Sequence, residues 1–243
     1  MNELQKKFEK EIDELARASN RIAELGYVTS HGGNVSFRAA EDVILITPTK
    51  VPKADIRFND VCIIDPKGNV LFAAEGRKPT GETPFHIDIL DKRPDLNALI
   101  HAHPPYLTGL AIAHDDTLSK PLLPEPVTEV GPVLHVPYAE PISQELADAF
   151  VPLLYKTNAW LMLNHGVLIG SFEGIWRGTE LLELIEATAH SVAVAATAGT
   201  VHTLSREDVK KLDNVMFKRN LPFPGGPKGG ARSLVDVFFN EPR

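Results

Sequence analysis

The chain has 243 residues, 43% of them hydrophobic and 23% charged, with a formal charge of −7 and one cysteine, Cys62. This composition excludes a disordered or fibrous protein, an internal disulfide and a thiolate metal cluster. An acidic chain with no Lys/Arg block repels duplex nucleic acid and anionic membranes, which leaves a small molecule as the expected partner. Lys6, Lys7, Glu9, Glu11, Asp13 and Glu14 interrupt the first twenty-five residues, and no later stretch is apolar without interruption over a bilayer's thickness, so the reducing cytoplasm is the expected compartment.

Residues 3–25 carry Leu4, Phe8, Ile12, Leu15, Ile22 and Leu25 at three-, four- and seven-residue intervals, one face of a helix that Gly26 stops. A small-residue loop at 29–34 leads into β-runs at 35–38 and 43–47. The runs 61–64 and 70–72 flank Asp65-Pro66-Lys67-Gly68-Asn69 and predict a hairpin. After Pro84 a helix is expected over 85–93, ended by Pro94. Further on, 96–103 reads as a strand, 107–113 as a short helix, 133–136 as a strand, 144–155 as a helix capped by Ser143, and 159–169 as one buried strand. Segment 172–198 places Leu181, Ile185, Ala189, Val192 and Ala196 on one stripe, with Ser171 as cap and Gly199 as stop. Ser205-Arg206-Glu207-Asp208 opens a last helix running to Arg219. Residues 1–221 are expected to form one α/β domain, and 222–243 a Pro/Gly-rich linker and a tail whose apolar run docks on this or another subunit.

Alternate residues of a strand project to one face, so His101-Ala102-His103 sends two imidazoles to the same side of a sheet. A catalytic cation site needs three protein donors and an open place, and imidazole suits zinc and its neighbours. His165, in Leu163-Asn164-His165-Gly166-Val167 toward the end of a strand, supplies a third, with Gly166 permitting close backbone approach. Glu82, on the turn Pro79-Thr80-Gly81-Glu82-Thr83 ahead of a helix, supplies an acidic donor. On residue chemistry alone, hydrogen-bonded core histidines fit the pattern as well as metal ligands do. His31, His86, His114, His135, His190 and His202 are read as structural or solvated, and Cys62 as a buried filler.

Gly32-Gly33-Asn34-Val35-Ser36, Ile46-Thr47-Pro48-Thr49, Glu82 nineteen residues before His101-Ala102-His103-Pro104, and Asn164-His165-Gly166 follow one another in the chain, and together they resemble the class II aldolase/adducin family over residues 4–219. That family includes zinc-dependent fuculose- and rhamnulose-phosphate aldolases, ribulose-phosphate 4-epimerases and some decarboxylases. The resemblance implies an α/β fold with a central, mainly antiparallel sheet covered by helices, and a homotetramer with active sites between subunits. It implies metal ligation by His101, His103 and His165, with Glu82 as a further ligand in the empty site and as proton acceptor once substrate arrives. Zinc is the implied cation, with manganese or cobalt as alternatives. A phosphate cradle is implied at Gly33, Asn34, Thr49, Thr80 and Gly81, where backbone N–H groups and short side chains can surround a dianion. The implied activity is cleavage of a ketose 1-phosphate or related hydroxyketone to dihydroxyacetone phosphate, or an analogue, plus an aldehyde through a metal-stabilised enediolate. A sugar-phosphate 4-epimerase or a metal-dependent decarboxylase keeps the same site, and a non-catalytic adducin-like module keeps only the fold.

Some positions depart from the fuculose-phosphate pattern. His31 stands where a small hydroxyl residue is common, Lys50 where a glycine follows the threonine, and Thr80-Gly81 where two serines are typical. The stretch 121–131 lacks the tyrosine that such aldolases present from a neighbouring subunit as proton donor. Glu125 and Glu129 are its only titratable side chains, and they either take that role or are simply solvated.

Overall fold

The N-terminal apolar stripe folds as two helices, α1 (Glu3–Lys7) and α2 (Glu9–Glu24), because Phe8 between them has φ −115° and ψ 29°. These and all further elements belong to a computed structural model that describes residues 2–239. From α2, Ile12, Leu15 and Ile22 are fully buried, as their spacing predicts.

Strands β1 (Asn34–Ala40), β2 (Val43–Ile46), β3 (Cys62–Ile64) and β4 (Val70–Phe72) form an antiparallel meander. The β3–β4 turn is closed by the Asp65 carboxylate, which accepts from the backbone N–H groups of Lys67 and Asn69 at 2.8 and 2.9 Å. After helix α3 (Thr83–Lys92), strand β5 (Ala98–Ala102) inserts beside β1. Helices α4 (Pro105–Ala113) and α5 (Pro124–Glu129), strand β6 (Val133–Val136) and helix α6 (Gln144–Phe150) follow. The hairpin β7 (Ala159–Met162) and β8 (Gly166–Ser171) completes an eight-stranded sheet in the order β4-β3-β2-β1-β5-β8-β7-β6. Only the β6–β7 pair is parallel, so the sheet is mainly antiparallel.

Alternation along β5 sorts the two cores. Ala98, Ile100 and Ala102 face α2, α4 and the long helix α7 (Ile175–Ala198), while Leu99 joins Phe85, Ile89, Phe150, Trp160 and Leu168 under α3 and α6. This is the α/β arrangement expected, with helices on both faces of one sheet. Helix α7 has the length and mean apolarity of a bilayer span, yet Arg177, Glu180, Glu183 and Glu186 lie in it and its inner stripe, including Leu182, Ile185 and Ala189, packs on the sheet.

Several expectations are corrected. Residues 159–169 are two strands: Asn164 adopts a left-handed φ of 56°, a conformation asparagine tolerates better than most residues, and reverses the chain. His165 therefore sits in a turn and not in a strand. Ser171 closes β8 without capping α7; its Oγ accepts from the Glu173 N–H at 3.2 Å, and α7 starts after Gly174, which makes no side-chain cap. The helix expected over 144–155 ends at Phe150 and tightens into a 3-10 turn at Val151–Leu153, where Pro152 has no N–H to continue the ladder. Residues 124–129, to which the spacing assigns no element, make α5 with Pro124 in its first turn. The tail docks on its own chain: Leu234 of α9 (Leu234–Phe239) is buried with Val127 of α5 and with Val209 and Met216 of α8 (Arg206–Arg219).

Candidate metal centre

Strand β5 carries His101 on the α3 face, its ring edge-on to Phe85 with centroids 5.9 Å apart. His103 lies one residue beyond the strand and stays in line because its N–H donates to the Tyr27 carbonyl at 2.8 Å. The β7–β8 turn brings in His165, whose ring centroid is 5.0 Å from that of His101 and 5.3 Å from that of His103. This approach depends on two features. Strands β5 and β8 are neighbours with Ala102 opposite Val167, and Gly166 has no side chain: a Cβ there would come within 2.4 Å of His103 Cδ2 and 2.5 Å of the Ala102 carbonyl. Glu82 stands at the N-terminus of α3, whose dipole favours a carboxylate. Its Oε2 is 3.4 Å from His101 Nε2 and its Oε1 is 3.4 Å from His165 Nε2. Side-chain exposure rises from 0% at His101 to 14% at His165, so the cluster opens outward at the turn.

The donor chemistry fits a divalent cation. Donor nitrogens of His101, His103 and His165 all lie within 4.8 Å of one another. His101 Nδ1–H donates to the Val167 carbonyl at 2.9 Å, which leaves the lone pair on Nε2 facing the cluster. The Nε2 atoms of His101 and His103 face each other at 3.0 Å, and His165 Nδ1 is buried without a hydrogen-bond partner among the described residues. Burial, joined by repulsion from neighbouring imidazoles, holds His101 well below its ordinary range and His103 down to about 4; burial also lowers His165 against the opposing pull of Glu82. All three rings are thus neutral at pH 7, the form that ligates a metal. Three neutral imidazoles beside one carboxylate make a donor set for a first-row divalent ion.

Of the residues expected in a phosphate cradle, the structure gathers four around Glu82. Asn34 opens β1 opposite His101, and its Nδ2 donates to Glu82 Oε2 at 2.7 Å and to Thr80 Oγ1 at 3.3 Å. Gly33, with φ 67°, packs so closely that a Cβ would lie 2.7 Å from the His101 carbonyl. At Gly81 a Cβ would meet Ile142, itself in the left-handed region at φ 71°, at 3.0 Å. Thr80 N–H donates to the Thr47 carbonyl at 3.0 Å, whereas Thr49 sits farther along, half-buried, its N–H on the Lys78 carbonyl at 2.9 Å. Lys50 is exposed. The Asn34 amide is turned inward, committed to Glu82 and to His86.

Two residues were missed from sequence as parts of this site. His86 is fully buried, stacked on Phe85 with ring centroids 4.5 Å apart; its Nδ1 lies 2.7 Å from Ser36 Oγ and its Nε2 meets Asn34 Oδ1. Burial pushes it down to about 3, so it is neutral. A signal was present: His86 is four residues from Glu82 on one side of the α3 start, and Ser36 is two from Asn34 on one strand face. Lys53 is 1% exposed, and its Nζ donates to the carbonyls of His31 at 3.1 Å and Val51 at 3.3 Å, pinning the loop ahead of β1.

Burial lowers Lys53 from 10.5 to about 8, with Glu82 opposing the shift. The unfolded chain then binds more protons than the folded one between these values, so this residue's contribution makes stability rise as pH climbs from about 8 toward 10.5. Lys53→Met keeps the stem and removes the buried charge. The variant is expected to exceed the wild type in stability at pH 7 by on the order of 1–2 kcal/mol, with the difference shrinking at pH 9.5. Denaturant titrations at the two pH values check this, and a pH-independent difference contradicts it.

Neither glutamate of α5 joins the centre. Glu129 accepts from Arg177 and, at 2.7 Å, from Arg219 Nη1; burial alone would raise its pKa, but the two guanidinium groups hold it below the ordinary range. It is an ion-pair member linking α5, α7 and α8. Glu125, in the first turn of α5, is exposed.

Comparison with known proteins agrees with this geometry. The chain is 28% identical over 198 residues to a 3-oxo-tetronate 4-phosphate decarboxylase of Haemophilus influenzae, covering 80% of this chain and 88% of the relative. It is 28% identical over 208 residues to a 5-deoxy-D-ribulose 1-phosphate aldolase of Bacillus thuringiensis serovar kurstaki, covering 84% and 94%. Among solved structures, YgbL of Klebsiella pneumoniae superposes with a TM-score of 0.77 at 26% identity over 84% of this chain and 98% of that one. An L-fuculose 1-phosphate aldolase superposes with a TM-score of 0.75 at 25% identity over 87% and 96%. The model of the class II aldolase and adducin N-terminal domain matches residues 13–205, which takes in α2 from Asp13 onward, the whole sheet and every histidine of the cluster, and the chain belongs to that family.

Proposed function

We propose that the protein is a metal-dependent carbon–carbon lyase that cleaves a ketose 1-phosphate or a related hydroxyketone by retro-aldol chemistry, with His101, His103 and His165 holding the cation and Glu82 carrying the proton. The observation that supports it is the convergence of three neutral imidazoles with the Glu82 carboxylate, 3.4 Å from two of them. A divalent cation, zinc in this reading, with manganese or cobalt as alternatives, supplies Lewis acidity toward the oxygens beside the breaking bond. The chain's own residues do the rest. Asn34 occupies Glu82 Oε2 and leaves Oε1 as the oxygen that takes or returns a proton at the substrate carbon. Gly33, Thr80 and Gly81, which adjoin Asn34 and Glu82, are with Thr49 the residues this reading assigns to a phosphate, through the threonine hydroxyls and the glycine backbone. The same reading has the chain act in the cytoplasm as a homotetramer on a small phosphorylated molecule, without nucleic acid or membrane.

A second reading, decarboxylation of a 3-oxo acid, is supported by the likeness to a 3-oxo-tetronate 4-phosphate decarboxylase and by the proton carriers of a single chain. Retro-aldol cleavage removes a hydroxyl proton and delivers one to carbon, whereas loss of carbon dioxide needs only the second step. Among the described residues, Glu82 is the one carboxylate within ion-pair distance of the imidazoles, and Glu129 is engaged elsewhere. Incubating the metal-loaded protein with ketose 1-phosphates and with phosphorylated 3-oxo sugar acids separates the two. Aldehyde with dihydroxyacetone phosphate, or its analogue, supports the first; carbon dioxide supports the second. Turnover of neither class would end the lyase reading.

A further inference from the structure

Glu82 is joined to the interior by a chain of hydrogen bonds whose direction its charge dictates. A carboxylate only accepts, so the Asn34 group 2.7 Å from Glu82 Oε2 must be the amide NH₂. The Asn34 carbonyl therefore points at His86, and His86 must carry its hydrogen on Nε2 to meet it. His86 Nδ1 is then an acceptor, and it receives the Ser36 hydroxyl hydrogen across 2.7 Å. Every partner is buried, with His86 and Ser36 at 0% exposure and Asn34 at 3%, so no solvent molecule offers the amide an alternative. Without the Nε2–H donor, the Asn34 carbonyl would be buried with no donor, and turning the amide to free it would break the bonds to Glu82 and Thr80 and set two acceptors face to face, so the Asn34–Glu82 unit would lose its single arrangement.

We propose that His86 is a positioning residue: through Asn34 it fixes the Glu82 carboxylate, reserving Oε2 for the amide and Oε1 for the substrate proton, while Ser36 fixes the His86 ring. His86 touches neither substrate nor cation in this scheme. The inference rests on Glu82 being the proton carrier.

The test pairs His86→Phe, which fills the volume and keeps the Phe85 stack, with His86→Gln, which can both donate to Asn34 Oδ1 and accept from Ser36. In His86→Phe, kcat is expected to fall roughly 10–100-fold with KM and bound zinc little changed, and His86→Gln to recover most of the loss. A folded His86→Phe protein with wild-type kcat overturns the proposal. So does a loss that glutamine does not restore and that tracks the drop in Tm, since that would mark packing alone. A second readout needs no substrate: nitrogen-15 NMR of the histidine rings in the wild type is expected to show His86 hydrogen on Nε2, and a downfield Asn34 side-chain amide that disappears in His86→Phe. Hydrogen on Nδ1 overturns the proposal even if the lyase reading holds, and absence of turnover in the wild type overturns the lyase reading while this spectrum still decides the hydrogen-bond order.

Discussion

His103→Ala is expected to lower kcat/KM by at least about 10³-fold, roughly 4 kcal/mol of transition-state stabilisation, while leaving the protein folded. The magnitude follows from the charge that carbon–carbon cleavage leaves on the carbonyl fragment, which no free cationic side chain among the described residues faces. Lys53 is the buried cation nearest in effect, and its Nζ is taken by two backbone carbonyls. Without the divalent ion that charge has no comparable sink. Folding should survive because His103 lies at the open edge and its backbone bond to the Tyr27 carbonyl does not involve the side chain. Steady-state kinetics with whichever substrate the panel identifies, alongside a thermal melt, tests this. A loss smaller than tenfold in a metal-replete assay would mean that the cluster is not where the chemistry occurs.

Arg93→Met is expected to give the largest stability effect: about 3–5 kcal/mol, a fall in Tm of roughly 10 °C for a chain of this size. Arg93 is 1% exposed and forms a two-pronged pair with Asp95 at 2.9 and 2.7 Å. Its Nη1 also donates to the carbonyls of Leu154 and Thr157, at 2.6 and 3.1 Å, and its Nη2 to Asn158 Oδ1 at 2.8 Å. The substitution would strand the Leu154 and Thr157 carbonyls, leave the Asp95 carboxylate without its cation, and take one of two donors from Asn158 Oδ1. It would also loosen the C-terminal segment, because Gly225 N–H shares Asn158 Oδ1 and Gly226 packs so tightly on the pair that a Cβ would lie 2.3 Å from Asp95 Oδ2. Lysine should not rescue, since a point charge cannot reproduce the planar fork. Urea denaturation of the three proteins checks both statements, and a methionine variant within 1 kcal/mol of wild type would refute them.

Where periodicity and punctuation carry the information, the sequence was legible. The α2 stripe, the β3–β4 hairpin, the α3 start and the β5 strand follow from residue spacing, and so does the shared face of His101 and His103. What it hid was set by contacts far apart in the chain. The β7–β8 reversal at Asn164 looked like one apolar strand because Ala159–Met162 and Gly166–Ser171 are both buried, and only the left-handed asparagine divides them. Helix α5 gave no spacing signal because its two prolines masked a turn that Val127 buries against the tail. Glu129 read as a free acid because Arg177 and Arg219 are 48 and 90 residues away from it. His86 was passed over because a lone histidine carries no spacing signal until Glu82 and Asn34 are seen beside it. The order of the motifs pointed to the family, but which bond is cleaved is not encoded in any spacing.

Metal stoichiometry tests the central claim most directly: titrate the apo protein with zinc by calorimetry and examine the complex by X-ray absorption. One ion per chain, ligated by three imidazole nitrogens and absent from His103→Ala, is the predicted result. A folded protein that takes up no divalent ion, or that holds one without histidine ligation, would contradict the account.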